Sequence, residues 1–230
     1  MAEFQAFPKI PRLNRDITIT EKIDGTNAAV VIEPIGTPLD VKGMAEEPDI
    51  VIREDIAYLV SAQSRKRMIT PGKQTDNYGF AGWVRKNKEE LVTLLGWGRH
   101  FGEWWGSGIA RNYGLVGQRN FSLFRPRPNW SPVCLSPPDG MTRDSVVDIV
   151  PVLYEGPFSQ VRVVASLAHL RNFGSVAAPG FKRPEGVMVY HTAAGQYFKA
   201  TVEDDDKPKE VAAREAAKVA ANGGGKVVLD

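Results

Sequence analysis

Hydrophobic and polar positions alternate along most of the chain in short runs, the pattern of strands separated by turns. Ile17–Glu21 alternates, and Ala28–Ile32 is continuously apolar. The two read as an antiparallel pair around a turn at Lys22. Ile56–Gln63 is a further strand leading into Ser64-Arg65, and Val146–Tyr154 is another. Trp97–Trp105 and Asn120–Phe124 are short aromatic or apolar segments. Gly186–His191 and Tyr197–Val202 form a closing pair around Ala193-Ala194-Gly195.

A period near 3.6 appears in three places. Trp83–Leu95 carries Val84, Leu91, Leu94 and Leu95 on one face, with Arg85, Lys86, Lys88 and Glu89 opposite, and Gly96 ends it. Ser159–Asn172 has Ser159 at its N-cap, a buried stripe of Val161, Val164, Leu167 and Leu170, and Gly174 beyond its end. The alanine-rich tail from Glu210 to Ala221 is helical and stops at Gly223. Arg125–Asp139 holds five prolines and reads as a loop insertion, because proline supplies no backbone donor. No internal repeat is visible. The fold class is α+β, antiparallel sheets with flanking helices.

Composition changes this picture little. The 230 residues are 43% hydrophobic and 24% charged, enough for one large domain with a sizeable core. A net charge of +2 does not by itself imply nucleic acid, so any basic surface must be local, as at Arg65-Lys66-Arg67. The single cysteine, Cys134, excludes an internal disulfide and a cysteine-rich zinc site. His100, His169 and His191 have no metal-ligand spacing. No apolar run approaches the ~20 residues of a membrane span, and the N-terminus lacks the plan of a signal peptide. The expectation is a soluble cytoplasmic protein in a reducing compartment (the host cytoplasm if the chain is phage-encoded), with no membrane partner.

Chemistry concentrates at Glu21-Lys22-Ile23-Asp24-Gly25-Thr26-Asn27. A strand that delivers a lysine to a glycine turn suits nucleophilic attack on a phosphate, with the backbone free to approach a ligand at Gly25. Five more clusters follow in order. Ser64-Arg65 offers a planar fork to phosphate oxygens. Phe101-Gly102-Glu103 offers a carboxylate to a ribose hydroxyl or a metal. Phe121-Ser122-Leu123-Phe124 offers an aromatic face to a purine. Pro184-Glu185-Gly186-Val187-Met188-Val189-Tyr190 places an acid at the mouth of a strand, and Tyr197-Phe198-Lys199-Ala200-Thr201 brings a second lysine. Taken singly, each also suits a plain structural role: a surface lysine, a solvated basic loop, a core phenylalanine.

The order of the clusters resembles the covalent nucleotidyltransferase superfamily of polynucleotide ligases and capping enzymes. Within it, the nucleophile motif is most similar to that of phage-type RNA ligases of the type-2 class, and the likeness spans roughly Ile17 to Lys209. The resemblance implies an adenylyltransferase (ATP-grasp-like) domain over residues 1–206 and a helical tail over 207–230, with no C-terminal oligonucleotide-binding barrel. It implies an ATP-dependent RNA ligase that joins 3′-OH and 5′-phosphate ends, with RNA ends or nicked duplex as the nucleic-acid partner.

By the same resemblance Lys22 is the nucleophile that forms lysyl-AMP, Arg65 contacts phosphate and Glu103 binds the ribose. Phe121 stacks on adenine, with Phe124 as the fallback. Glu185 places the divalent metal (Mg2+ or Mn2+), and Lys199 contacts the α-phosphate. Glu21 and Asn27 match positions near the base and near the nucleic-acid end. Attack needs a neutral amine, so burial and nearby cations such as Lys199 and Arg65 are expected to lower the affinity of Lys22 for its proton. Where the family often carries two lysines flanking one residue, this chain has Tyr197 and Thr201 around Lys199, and Lys182 or Arg183 is the available substitute. Other readings are a DNA ligase or GTP-using capping enzyme of the same superfamily, and a non-catalytic module that binds nucleic-acid ends.

Overall fold

The protein is described from a computed structural model covering residues 3–43, 49–124 and 146–203. The proline-rich segment, Cys134 and the alanine-rich tail lie outside the described residues. The described chain divides into two compact units. One comprises the residues up to Lys22, Val152–Phe173 and those from Glu185 onward; the other comprises the rest. The chain therefore changes unit after Lys22, Pro151, Phe173 and Pro184.

The first unit is a four-stranded antiparallel sheet backed by one helix. Its strands are β1 (Asp16–Lys22), β9 (Val152–Pro157), β10 (Gly186–His191) and β11 (Gln196–Thr201), in the order β11-β10-β1-β9. Alternation in β1 sends Ile17 and Ile19 to one face, where they pack with Val187, Val189 and Leu170. Leu170 belongs to α3 (Gln160–Phe173), which covers that face.

The second unit is a seven-stranded sheet of β2 (Thr26–Gly36), β3 (Ile50–Arg53), β4 (Ile56–Ser64), β5 (Met68–Ile69), β6 (Gly98–Gly106), β7 (Arg119–Leu123) and β8 (Val147–Ile149). Helices α1 (Phe80–Lys86) and α2 (Lys88–Leu95) close the core of this unit. That core includes Val30, Ile32, Val60, Phe80, Leu91, Trp104 and Phe121. A separate small cluster gathers Ile23, Trp105, Tyr113, Val150 and Ala178.

Five expectations are corrected. Ile17–Glu21 and Ala28–Ile32 are strands but not partners: β1 pairs with β9 and β10, β2 with β4 and β6, so neither has a free hydrogen-bonding edge for the other. Trp83–Leu95 is two helices, the first starting at Phe80. They meet at Asn87, whose side-chain Nδ2 donates to the Trp83 carbonyl at 2.7 Å. Val146–Tyr154 is split at Val150-Pro151 between β8 and β9, which lie in different sheets. β8 runs parallel to β7, so the sheets are not wholly antiparallel. Finally, Val161 and Val164 are 75% and 58% exposed; α3 packs through Val163, Leu167 and Leu170 instead. No helix among the described residues is long and apolar enough to cross a membrane.

Candidate functional site

In the first unit, antiparallel register organises three strands around the lysine of the motif. Lys22 lies opposite Gly186, and Gly186 opposite Thr201; one pleat back, Thr20 lies opposite Met188, and Met188 opposite Lys199. Directly opposed residues share a face, so Lys22 and Lys199 project from the same side of the sheet, away from α3. Two strand spacings and one pleat separate their Cα atoms by roughly 12 Å, a gap that two long side chains can close around one phosphate. Tyr190 and Tyr197 stand on this face too, with ring centroids 4.8 Å apart. Gly186 is required where it is: a Cβ there would meet the Ala200 carbonyl oxygen at 2.2 Å.

Glu185, just before β10, reaches the same place. Lys22 Nζ donates to its Oε2 at 2.5 Å, and the two side chains are only 23% and 13% exposed. The ion pair thus joins the residues expected to be nucleophile and metal ligand. Glu21 is buried, on the opposite face of β1 with Ile17 and Ile19. From there its side chain serves the interior side of the sheet rather than the Lys22 side. Lys199 is exposed.

In the second unit, β4, β2 and β6 lie side by side and carry the remaining expected residues. Asn27 is opposite Glu103, and Ala28 is opposite Ser64, the residue before Arg65. Arg65 is exposed in the turn closed by the Ser64 amide on the Arg67 carbonyl. Glu103 Oε1 accepts from the Gly25 amide at 3.1 Å. Gly25 makes its close approach to β6, not to a ligand: a Cβ would lie 2.5 Å from the Trp104 carbonyl oxygen and 2.8 Å from Trp105 Cβ. Lys182 and Arg183 are exposed.

Phe121 is corrected. Its ring is wholly buried, 5.1 Å from Phe80 and 5.7 Å from Trp83, on the helix-covered face of the sheet. It cannot stack on a nucleotide without leaving the core. Phe124 is half-buried against the cluster that holds Ile23 and Trp105.

Two residues were missed in the sequence. The Asp24 amide donates to Tyr113 Oη at 2.8 Å, and Arg111 Nε donates to Asp24 Oδ2 at 3.1 Å. Both come from the loop between β6 and β7. The only local signal, Arg111-Asn112-Tyr113-Gly114, looks like an ordinary turn.

A divalent cation was expected at Glu185. Among the described residues no three His, Cys, Asp or Glu side chains cluster to hold a metal by themselves. The Glu185 carboxylate beside Lys22 suits Mg2+ or Mn2+ bound jointly with nucleotide phosphates, because such ions are commonly held by one or two carboxylates plus phosphate oxygens.

The family model described as RNA ligase matches residues 15–202. The chain belongs to the RNA ligase family. Among solved structures it is similar to Naegleria gruberi RNA ligase. A point mutant of that protein with ATP and Mn aligns at 17% identity and TM-score 0.50, covering 83% of this chain and 51% of the other. A second mutant, also with ATP and Mn, aligns at 17% identity and TM-score 0.49, covering 82% and 49%. At this identity the likeness shows the fold alone. This family member spans about half the length of the solved structures it matches. No curated protein matches it in sequence.

Proposed function

We propose that the chain is the nucleotidyltransferase part, ATP-grasp-like in its two-sheet plan, of an ATP-dependent RNA ligase, with Lys22 as its nucleophile. The observation that carries the reading is the Lys22–Glu185 pair at the edge of a sheet face shared with Lys199, within a chain whose family is RNA ligase.

Lys22 Nζ attacks the α-phosphorus of ATP; a P–N bond forms and the P–O bond to pyrophosphate breaks. The AMP passes to an RNA 5′-phosphate, and a 3′-OH then displaces it to make the phosphodiester. Attack requires the amine lone pair, so in the reacting complex the contact with Glu185 opens and Lys22 passes a proton to water. Lys199 meets charge growing on the α-phosphate. Glu103, held by the Gly25 amide on Oε1, is the carboxylate that binds a ribose hydroxyl in this reading. Arg65 extends its fork to phosphate from the turn after β4. Phe124 replaces Phe121 as the aromatic beside the base. Glu185 would hold the divalent metal, which would supply charge neutralisation on the phosphates.

The test is labelling with α-phosphate-labelled ATP and Mg2+ or Mn2+, read on a denaturing gel. A covalent band in the wild type that is absent in Lys22→Ala is expected. No band from folded wild type overturns the reading, and a band from labelled GTP instead of ATP converts it to a capping-type enzyme. Sealing of nicked RNA in preference to nicked DNA is expected of the labelled protein.

A further inference from the structure

The loop between β6 and β7 contains more strain than a connection requires. Ala110, Asn112 and Tyr113 have φ of 41°, 61° and 50°, the left-handed region that costs a side-chain-bearing residue energy. Backbone bonds from Ile109 to Gly106, from Asn112 to Ile109 and from Leu115 to Asn112 hold the loop in this shape. Asn112 Oδ1 adds a bond from the Gly108 amide at 3.0 Å. The result drives Tyr113 into the cluster with Ile23, 5.1 Å from Trp105 and 4.7 Å from Phe181, leaving it 3% exposed. It also aims Arg111 outward between two other segments.

Those two segments are the ones that flank the ion pair. Arg111 Nε binds Asp24 Oδ2 at 3.1 Å, two residues after Lys22. Arg111 Nη1 binds the Arg183 carbonyl oxygen at 3.0 Å, two residues before Glu185. Tyr113 Oη holds the Asp24 amide from beneath. One planar guanidinium therefore spans the approach to the nucleophile and the approach to its acid, a geometry that a lysine ammonium cannot copy.

We propose that Arg111 is a positioning residue: it fixes the Asp24 and Arg183 segments against each other and so sets where Lys22 stands relative to Glu185, with Tyr113 as its support. The inference rests on the ligase reading only for its catalytic consequence; the mechanical consequence is independent. The ion pair is about one-third exposed on both sides, and exposed pairs contribute little to folding. A role confined to stability would thus leave little trace, whereas a small misplacement of a nucleophile costs on the order of 100-fold in rate.

The experiment uses the full chain and compares wild type with Arg111→Ala, Arg111→Lys and Tyr113→Phe. Rates of lysyl-AMP formation over a range of ATP, melting temperatures and hydrogen exchange of peptides covering 22–25 and 183–186 are measured. For Arg111→Ala the melting temperature is expected nearly unchanged, kcat lowered on the order of 100-fold and KM for ATP held. Added guanidinium ion should restore part of the rate, and Arg111→Lys should not. Exchange should quicken in both segments together, and Tyr113→Phe should quicken it around Asp24 alone. A wild-type kcat in folded Arg111→Ala overturns the proposal. If the wild type itself forms no lysyl-AMP, the ligase reading fails, and exchange alone decides: unchanged exchange in both segments overturns the positioning role, and coupled quickening supports it.

Discussion

Lys22 and Glu185, the pair on which the proposed mechanism turns, are also joined as an ion pair in the fold. Both side chains are largely shielded from water, so removing one strands a charge that the remaining partner had satisfied. Lys22→Ala or Glu185→Ala is expected to cost roughly 1–3 kcal/mol, less than a fully buried pair. The double variant Lys22→Met with Glu185→Leu is expected to recover most of that loss in denaturant titrations while forming no lysyl-AMP. Were the double variant as unstable as the sum of the singles, the pair would be contributing more than mutual satisfaction. Phe121 makes the complementary case. Enclosed by Phe80 and Trp83, it is expected to cost about 3–5 kcal/mol on change to alanine. Phe124→Ala should instead weaken nucleotide binding more than folding. Reduced ATP affinity in a fully stable Phe121→Ala protein would return the stacking role to Phe121. The sequence singled out Lys22, Glu185 and Gly25, and the structure brings the first two into contact and leaves no room for a side chain at the third. The body that Gly25 approaches, and the burial of Phe121, were not legible in the sequence: both depend on which strand lies alongside, and a strand's own alternation does not name its neighbour.

Elements were legible where one face is buried and the ends are marked. Gly96, with φ 65°, stops α2 as the pattern requires, and the hairpin of β10 and β11 turns at Ala193–Gly195. The break at Asn87 was not legible, because the apolar face runs unbroken across it. The start of α1 was also hidden, since its cap does not sit at the usual position. Asp76 lies ahead of the helix, yet its carboxylate accepts from the Asn77 amide at 2.6 Å, the Ala81 amide at 2.7 Å and the Gly82 amide at 3.0 Å. The Ala81 and Gly82 amides are first-turn donors that the helix itself cannot satisfy. Asp76→Ala is expected to cost about 1–2 kcal/mol, and Asp76→Asn should recover part of it. No change on thermal melting would mean that water replaces the carboxylate without loss. On α3 the exposed Val161 and Val164 predict the opposite: paired changes to lysine there should move stability by less than about 0.5 kcal/mol.

At the scale of the molecule, each unit is assembled from stretches far apart in sequence, and this was the least legible level. Periodicity speaks of an element's faces, whereas sheet membership is settled by hydrogen-bonding edges that every strand offers alike. One consequence of the assembly can be measured as a pH dependence. His100, central in β6, is almost fully buried, and its Nε2 lies 3.1 Å from the Gly96 carbonyl oxygen. Burial holds its affinity for a proton below that of an ordinary histidine, and the Gly96 contact only partly offsets this. The native state therefore keeps the ring neutral at a pH where the unfolded chain, titrating near 6.5, binds a proton. Where the unfolded state binds more protons, stability rises with pH. The contribution is thus fully present above pH ~6.5 and is lost as pH falls from there toward the native value. The loss is at most about 1.4 kcal/mol per pH unit. Wild type is expected to lose stability between pH 7 and pH 5 faster than His100→Gln, whose amide can still donate to Gly96. The two proteins should run parallel above pH 7. Parallel curves through the acid range as well would show that protonation of His100 is accommodated in the folded sheet.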